Sequence, residues 1–135
     1  MDGAYSDEVR RLFADPAHAG DLPPGGSRTA SVEVSESAAG CRVRLSASGN
    51  AGRLSAVRFR AFGCPHLLAA AEAFCAEVEG QPVTALLARR VPALMERLAV
   101  PVEKTGRLLL LEDAAKALAR ELLEDSSDGT NDTQT

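Results

Sequence analysis

Apolar and polar residues alternate in three runs of the chain, and a period of two predicts β-strands. In the first run Val32 and Val34 alternate with Ser31, Glu33 and Ser35. In the second, Val43, Leu45 and Ala47 alternate with Arg42, Arg44 and Ser46; in the third, Val57, Phe59 and Ala61 alternate with Arg58 and Arg60. Each run has one apolar face, and Ser48 to Gly52 (SGNAG) suits a hairpin turn between the second and third. The pattern predicts a small antiparallel sheet of about three strands with one face in water.

Past Gly63 the period lengthens. Leu67, Leu68, Ala71, Phe74, Cys75 and Val78 form one stripe of an α-helix, which Gly80 ends. A shorter stripe of Val9, Leu12 and Phe13 predicts a helix from Tyr5 to Ala14. Between that helix and the first strand, proline and glycine make Asp15 to Ser27 an irregular connection. Short helical pieces are expected from Val83 to Arg89 and from Pro92 to Leu98, and Pro101 favours an extended Val100 to Lys104. Leu108 to Leu123 is a long helix with Leu111, Ala114, Ala115, Leu118 and Leu122 inward. Helices on one face of an antiparallel sheet define an α+β sandwich. It is expected as a single domain over residues 1–124, followed by an acidic, polar tail (125–135) with no apolar anchor and therefore disordered.

Composition narrows the class. A chain of 135 residues with 45% hydrophobic content can bury a core without covalent staples, and three cysteines are an odd number for a disulfide framework. Free thiols persist in a reducing compartment, so a cytoplasmic location is expected. A net charge of −4 disfavours a nucleic-acid partner. The opening MDGAYSDEVRRLF has no signal-like apolar run, and no segment reaches the roughly 20 apolar residues of a membrane span.

The candidate chemistry gathers where the third strand gives way to the second helix. Pro65 suits the first helical position, which puts Cys64 at the N-cap, beside free amides and the positive end of the helix. Such a setting stabilises a thiolate; the competing reading is a cysteine packed into the sheet–helix seam with Leu68 and Ala71. His66 lies off the apolar stripe, close enough in sequence to ligate with Cys64 or assist it, although a lone histidine there is more often on the surface. Cys41 shares parity with Val43, Leu45 and Ala47, so it is either a small buried residue opening its strand or a second thiol near Cys64. Cys75 belongs to the buried stripe, and His18 sits in the proline-rich loop with no chemistry assigned. No C-x-x-C or H-x-x-x-H spacing is present, no orienting group completes a Cys–His nucleophile, and Gly25–Gly26 lacks a phosphate-loop context. An enzyme is not expected.

In order and spacing, YSDEVRRLFADPAHAGDL, RLSAVRFRAFGC, EVEGQPV and LEDAAKALARELL resemble segments of the IscU/NifU N-terminal family, the scaffolds of iron–sulfur cluster assembly, over roughly Tyr5 to Leu123. The resemblance implies an α+β sandwich whose site holds a cluster or zinc on three cysteines and an aspartate or histidine. Cys64 matches the second family cysteine. The third falls at Arg107, with Gly106 where a histidine often precedes it. The first falls between Ser37 and Cys41, with no acidic ligand; parity keeps Ala39 and Cys41 on one face, so Cys41 is the candidate substitute. AVPVEK keeps Pro101 and Val102 of the family's Leu-Pro-Pro-Val-Lys docking phrase.

The implied function is an iron–sulfur assembly protein accepting sulfur or iron through Cys64. Cys41 would be the second ligand or resolving thiol, and His66 a ligand or acid/base. The implied partners are a cysteine desulfurase, other assembly proteins and a second copy of the chain. The implied cofactor is a 2Fe–2S cluster or zinc that is transient or shared between protomers, or none. The alternative is a binding or regulatory module that keeps the scaffold fold and docks on a desulfurase.

Overall fold

In the computed structural model the described residues are 5–23, 28–38, 40–88 and 90–131, with side chains described as far as residue 123. The elements run in the order α1 (Asp7–Ala14), β1 (Arg28–Glu36), β2 (Cys41–Asn50), β3 (Arg53–Phe62), α2 (Pro65–Val78), α3 (Val91–Leu98) and α4 (Thr105–Asn131). Short 3-10 turns occupy Val83–Leu87 and Val102–Lys104.

The three alternating runs form one antiparallel sheet in the order β1-β2-β3. Its register aligns the inward residues, Val32 with Leu45 and Leu45 with Phe59, so the period-two pattern becomes one continuous apolar face. β2 and β3 are joined through Ala51 and Gly52, at φ 55° and 81°. Two positive φ values in a two-residue loop match the twist of a hairpin, and glycine supplies one of them without strain. α4 packs across β1 and β2 while α2 packs on β3, so the helices cover a single face.

α2 departs from the one-stripe expectation. His66, Ala69, Ala70, Glu72 and Ala73 are buried along with the predicted stripe, of which only Leu68 is partly exposed, because β3, α1, α3 and α4 surround the helix. Alanines on the flanks let neighbouring elements approach closely, which an amphipathicity pattern cannot reveal. Val102–Lys104, expected to be extended, is instead a 3-10 turn whose Lys104 N–H bonds Pro101 O at 2.9 Å. Pro101 itself is extended (φ −61°, ψ 144°), so proline sets the residue before the turn rather than the turn itself. α4 is longer at both ends than expected: its backbone runs to Asn131, taking in part of the segment read as a tail, and 132–135 lie outside the described residues.

The loop after α1 is tied to the open edge of β3. Phe59 N–H bonds His18 O at 3.0 Å, and Gly20 N–H bonds Phe59 O at 2.9 Å. These bonds satisfy backbone groups that an edge strand would otherwise leave exposed.

Candidate functional site: the strand–helix joint

β3 ends at Phe62 and α2 begins at Pro65, so the joint is Gly63 and Cys64. Cys64 is the N-cap, with extended φ −81° and ψ 161°, and its carbonyl accepts from Leu67 N (3.0 Å) and Leu68 N (3.2 Å). Proline at N1 leaves one fewer orphan amide to satisfy. The thiol makes no capping hydrogen bond, so it is not consumed by the helix terminus. It is partly exposed, and its apolar neighbours are in the core.

Cys41 opens β2 beside this joint. Arg42 pairs with Phe62, which brings Cys41 level with Gly63, and a Cβ placed on Gly63 would lie 3.3 Å from Cys41 Sγ and 3.0 Å from Leu67 Cδ2. Glycine is therefore required at 63 by close packing. Cys41 thus lies at the Gly63 end of the sheet, and it is buried at 3% exposure. Ala39, the residue that shares its face, lies outside the described residues.

His66 is not a surface residue. It is 2% exposed, and its ring lies 4.8 Å from the ring of Tyr5, tilted by 49°. Residues 5 and 6 lead into α1, which packs on α2, and the contact encloses the imidazole. Ser6 Oγ caps Val9 N at 3.2 Å and donates to Leu98 O at 2.9 Å, which anchors that lid to α3. Cys75 is wholly buried, and burial, helped by the nearby Glu72 and Glu79 carboxylates and opposed by Arg58, holds its thiol well above the usual range. It is a core residue and no nucleophile.

Gly106 and Arg107, where the resemblance puts the preceding histidine and the third family cysteine, lie in the first turn of α4; a Cβ on Gly106 would meet open space. Val102 is 81% exposed beside Pro101, so the remnant of the docking phrase projects from the surface. Among the described residues, no group of three or more His, Cys, Asp or Glu side chains is arranged to hold a metal ion. A cluster needs about four ligands, typically thiolates, and the side chains at this joint do not supply them. A cleft of 620 Å³ lies at the other end of the sheet, by Asn50 to Gly52 and Leu122, and contains none of the candidate residues.

One polar cluster was not visible in the sequence. His18 N–H donates to Glu72 Oε1 (2.7 Å), His18 Nδ1 meets Glu72 Oε2 (2.7 Å), and His18 Nε2 meets Glu79 Oε1 (3.1 Å). The second Glu79 oxygen accepts from Val57 N (2.9 Å) and Arg58 Nη1 (2.7 Å). Burial raises the Glu79 pKa, but Val57 N–H, the Arg58 guanidinium and His18 outweigh it and hold the carboxyl below its usual range. The sequence signal was Glu72 within α2 and Glu79 at its C-cap, seven residues or two helical turns apart.

The described residues thus form a small α+β sandwich with helices on one face and one partly exposed cysteine at the N-cap of α2. The chain belongs to the NifU-like N terminal domain family, whose model matches residues 4–124. It is similar in structure to a protein described as an iron–sulfur cluster assembly scaffold for the SUF system from Fervidobacterium islandicum AW-1. The TM-score is 0.56 at 14% identity, covering 87% of this chain and 86% of that one. It is also similar to the N-terminal part of a nitrogen-fixing NifU-like protein from Brucella abortus, with TM-score 0.56, 17% identity, and 88% and 83% of the two chains covered. No curated protein sequence matches the chain. Among the described residues no helix is long and apolar enough to cross a membrane.

Proposed function

We propose that the chain is an iron–sulfur cluster assembly protein that accepts sulfur through Cys64 and works as a carrier or scaffold, not as an enzyme. The observation that carries the reading is the contrast among three thiols. Cys64 is partly exposed at a helix N-cap on a family fold, while Cys41 and Cys75 are buried. The structures similar to it include a described assembly scaffold, which supports the same reading.

The step needs no outside oxidant. The Cys64 thiolate attacks the outer sulfur of a persulfide on a cysteine desulfurase, and a new S–S bond forms on Cys64. The donor's S–S bond breaks, and its cysteine leaves as thiolate with that electron pair. The thiol stands at the N-terminus of α2, and His66, two residues on beneath Tyr5, is the acid/base or ligand of this reading once that contact opens. Cys41, buried against Gly63, is the second ligand or resolving thiol of this reading only where the joint opens to a bound partner. Iron, zinc or a 2Fe–2S cluster is cargo, completed by ligands from a second copy or another assembly protein. Chemistry at a free thiol suits a reducing compartment such as the cytoplasm.

Anaerobic incubation with a cysteine desulfurase and cysteine, followed by peptide mapping, tests the reading. Sulfur is expected on Cys64 of the wild type and nowhere on Cys64→Ser. Equal addition to both proteins, or none to the wild type, contradicts it. The loss of family ligands at Gly106 and Arg107 favours a second reading, a docking module that regulates a desulfurase without taking sulfur. In that case Cys64→Ala leaves desulfurase binding and cellular cluster activity unchanged.

A further inference from the structure

The face of the sheet turned away from the helices is basic, in a chain whose net charge is −4. Arg42 and Arg44 on β2 and Arg60 on β3 are all exposed there. Arg44 pairs directly with Arg60 across the ladder, and Arg42 pairs with Phe62. Like charges directly opposed weaken a sheet, and Glu33, which faces Arg44 from β1, offsets only part of that contact. The local carboxylates leave these cations available. Arg60 meets Asp21 at 3.1 Å and Arg42 meets Glu33 at 3.6 Å, with every side chain more than half exposed, so water and partners compete for them. Arg44 donates to Ser31 Oγ at 3.0 Å and makes no ion pair among the described residues. A cleft of 220 Å³ runs between these arginines, walled by Phe62 and Ala61, with Glu33 the single carboxylate in its lining. Phe62 is 68% exposed, more than Phe13 at 45%, and it stands two residues before Cys64.

We propose that this face docks an acidic segment of a partner protein, with carboxylates on Arg44 and Arg60 and an apolar side chain against Phe62. Charge complementarity selects the occupant. A guanidinium presents a planar fork that matches a carboxylate, and arginine with an exposed aromatic is the composition of an interface hot spot. Phosphates also suit guanidinium, but the patch offers a single exposed aromatic and no stacking platform for successive bases. A partner seated here lies beside Cys64. The docking itself does not need the thiol, so it stands apart from sulfur acceptance.

The probe is a labelled synthetic peptide of alternating glutamate and leucine, titrated at low salt into the full chain and into Cys64→Ser. Anisotropy is expected to show saturable binding equal in both proteins, with amide shifts concentrated at Arg42, Arg44, Arg60 and Phe62. Arg44→Glu should weaken binding at least about tenfold, because it removes one cation and engages Arg60 within the sheet. Its melting temperature should change little, since the substitution gains an opposite charge across from Arg60 and loses one across from Glu33. Phe62→Ser should weaken binding at unchanged salt dependence. Absence of saturable binding, undiminished binding by Arg44→Glu, or tighter binding of a single-stranded oligonucleotide would each overturn the proposal.

Discussion

Gly63 illustrates how much of the joint rests on one missing Cβ. A methyl there would press on Leu67 Cδ2 and Cys41 Sγ at 3.0 and 3.3 Å, in a core that close packing leaves no room to adjust. Gly63→Ala is expected to destabilise the fold by about 1–3 kcal/mol, measured by urea denaturation, with Cys64 moved relative to Cys41. A variant as stable as the wild type would show that the joint is looser than its distances imply. The identity of Cys64 as N-cap was legible from the Pro65 that follows it. The burial of His66 was not, because Tyr5 covers its ring from sixty-one positions upstream. Sequence periodicity reports a residue's own helix face and says nothing of what arrives from elsewhere to cover it.

The irregular connection after α1 behaves as an element in its own right, because a polar clasp fixes it to α2 and β3. His18 holds the nearly buried Glu72 through both a backbone and a ring N–H position, and Glu79 reaches across to Val57 and Arg58. His18→Ala leaves the Glu72 carboxylate with a single bond and is expected to cost about 2–4 kcal/mol. Glu72→Gln added to it should recover part of that loss in a double-mutant cycle, since the buried charge is then gone. Glu79 sets the pH dependence. Its folded pKa lies below the ordinary 4.5, so the stability it contributes is present above that value and is lost as pH falls through the folded one. Denaturation profiles should therefore show a steeper acid limb for the wild type than for Glu79→Gln, which starts lower at neutral pH; parallel limbs would contradict the clasp. The three strands and α2 were readable because their periods are strong. The clasp was not, since its members lie fifty-four and sixty-one residues apart and pair only once the loop lies along β3.

At the scale of the whole molecule, the chain belongs to the NifU-like N terminal domain family, and its strand–helix joint presents one partly exposed thiol. Family likeness was legible in phrases that build the sandwich, such as the strand ending in Gly63–Cys64, because packing constrains them together. The cargo site is less legible, because ligands come from separate loops and each can be lost without loss of fold. Anaerobic reconstitution with iron and sulfide, followed by desalting, is expected to leave the monomer without a visible cluster chromophore. A stable chromophore on monomeric Cys41→Ser would show that ligands outside this joint hold the cluster. The claim beneath all of this is that the fold presents Cys64 and shields Cys41 and Cys75. Quantitative alkylation of the native protein, read residue by residue by mass spectrometry, tests it directly. The fold predicts rapid labelling of Cys64 alone, with Cys41 and Cys75 modified only on unfolding. Labelling of Cys41 as fast as Cys64, or protection of Cys64 in the native protein, would contradict it.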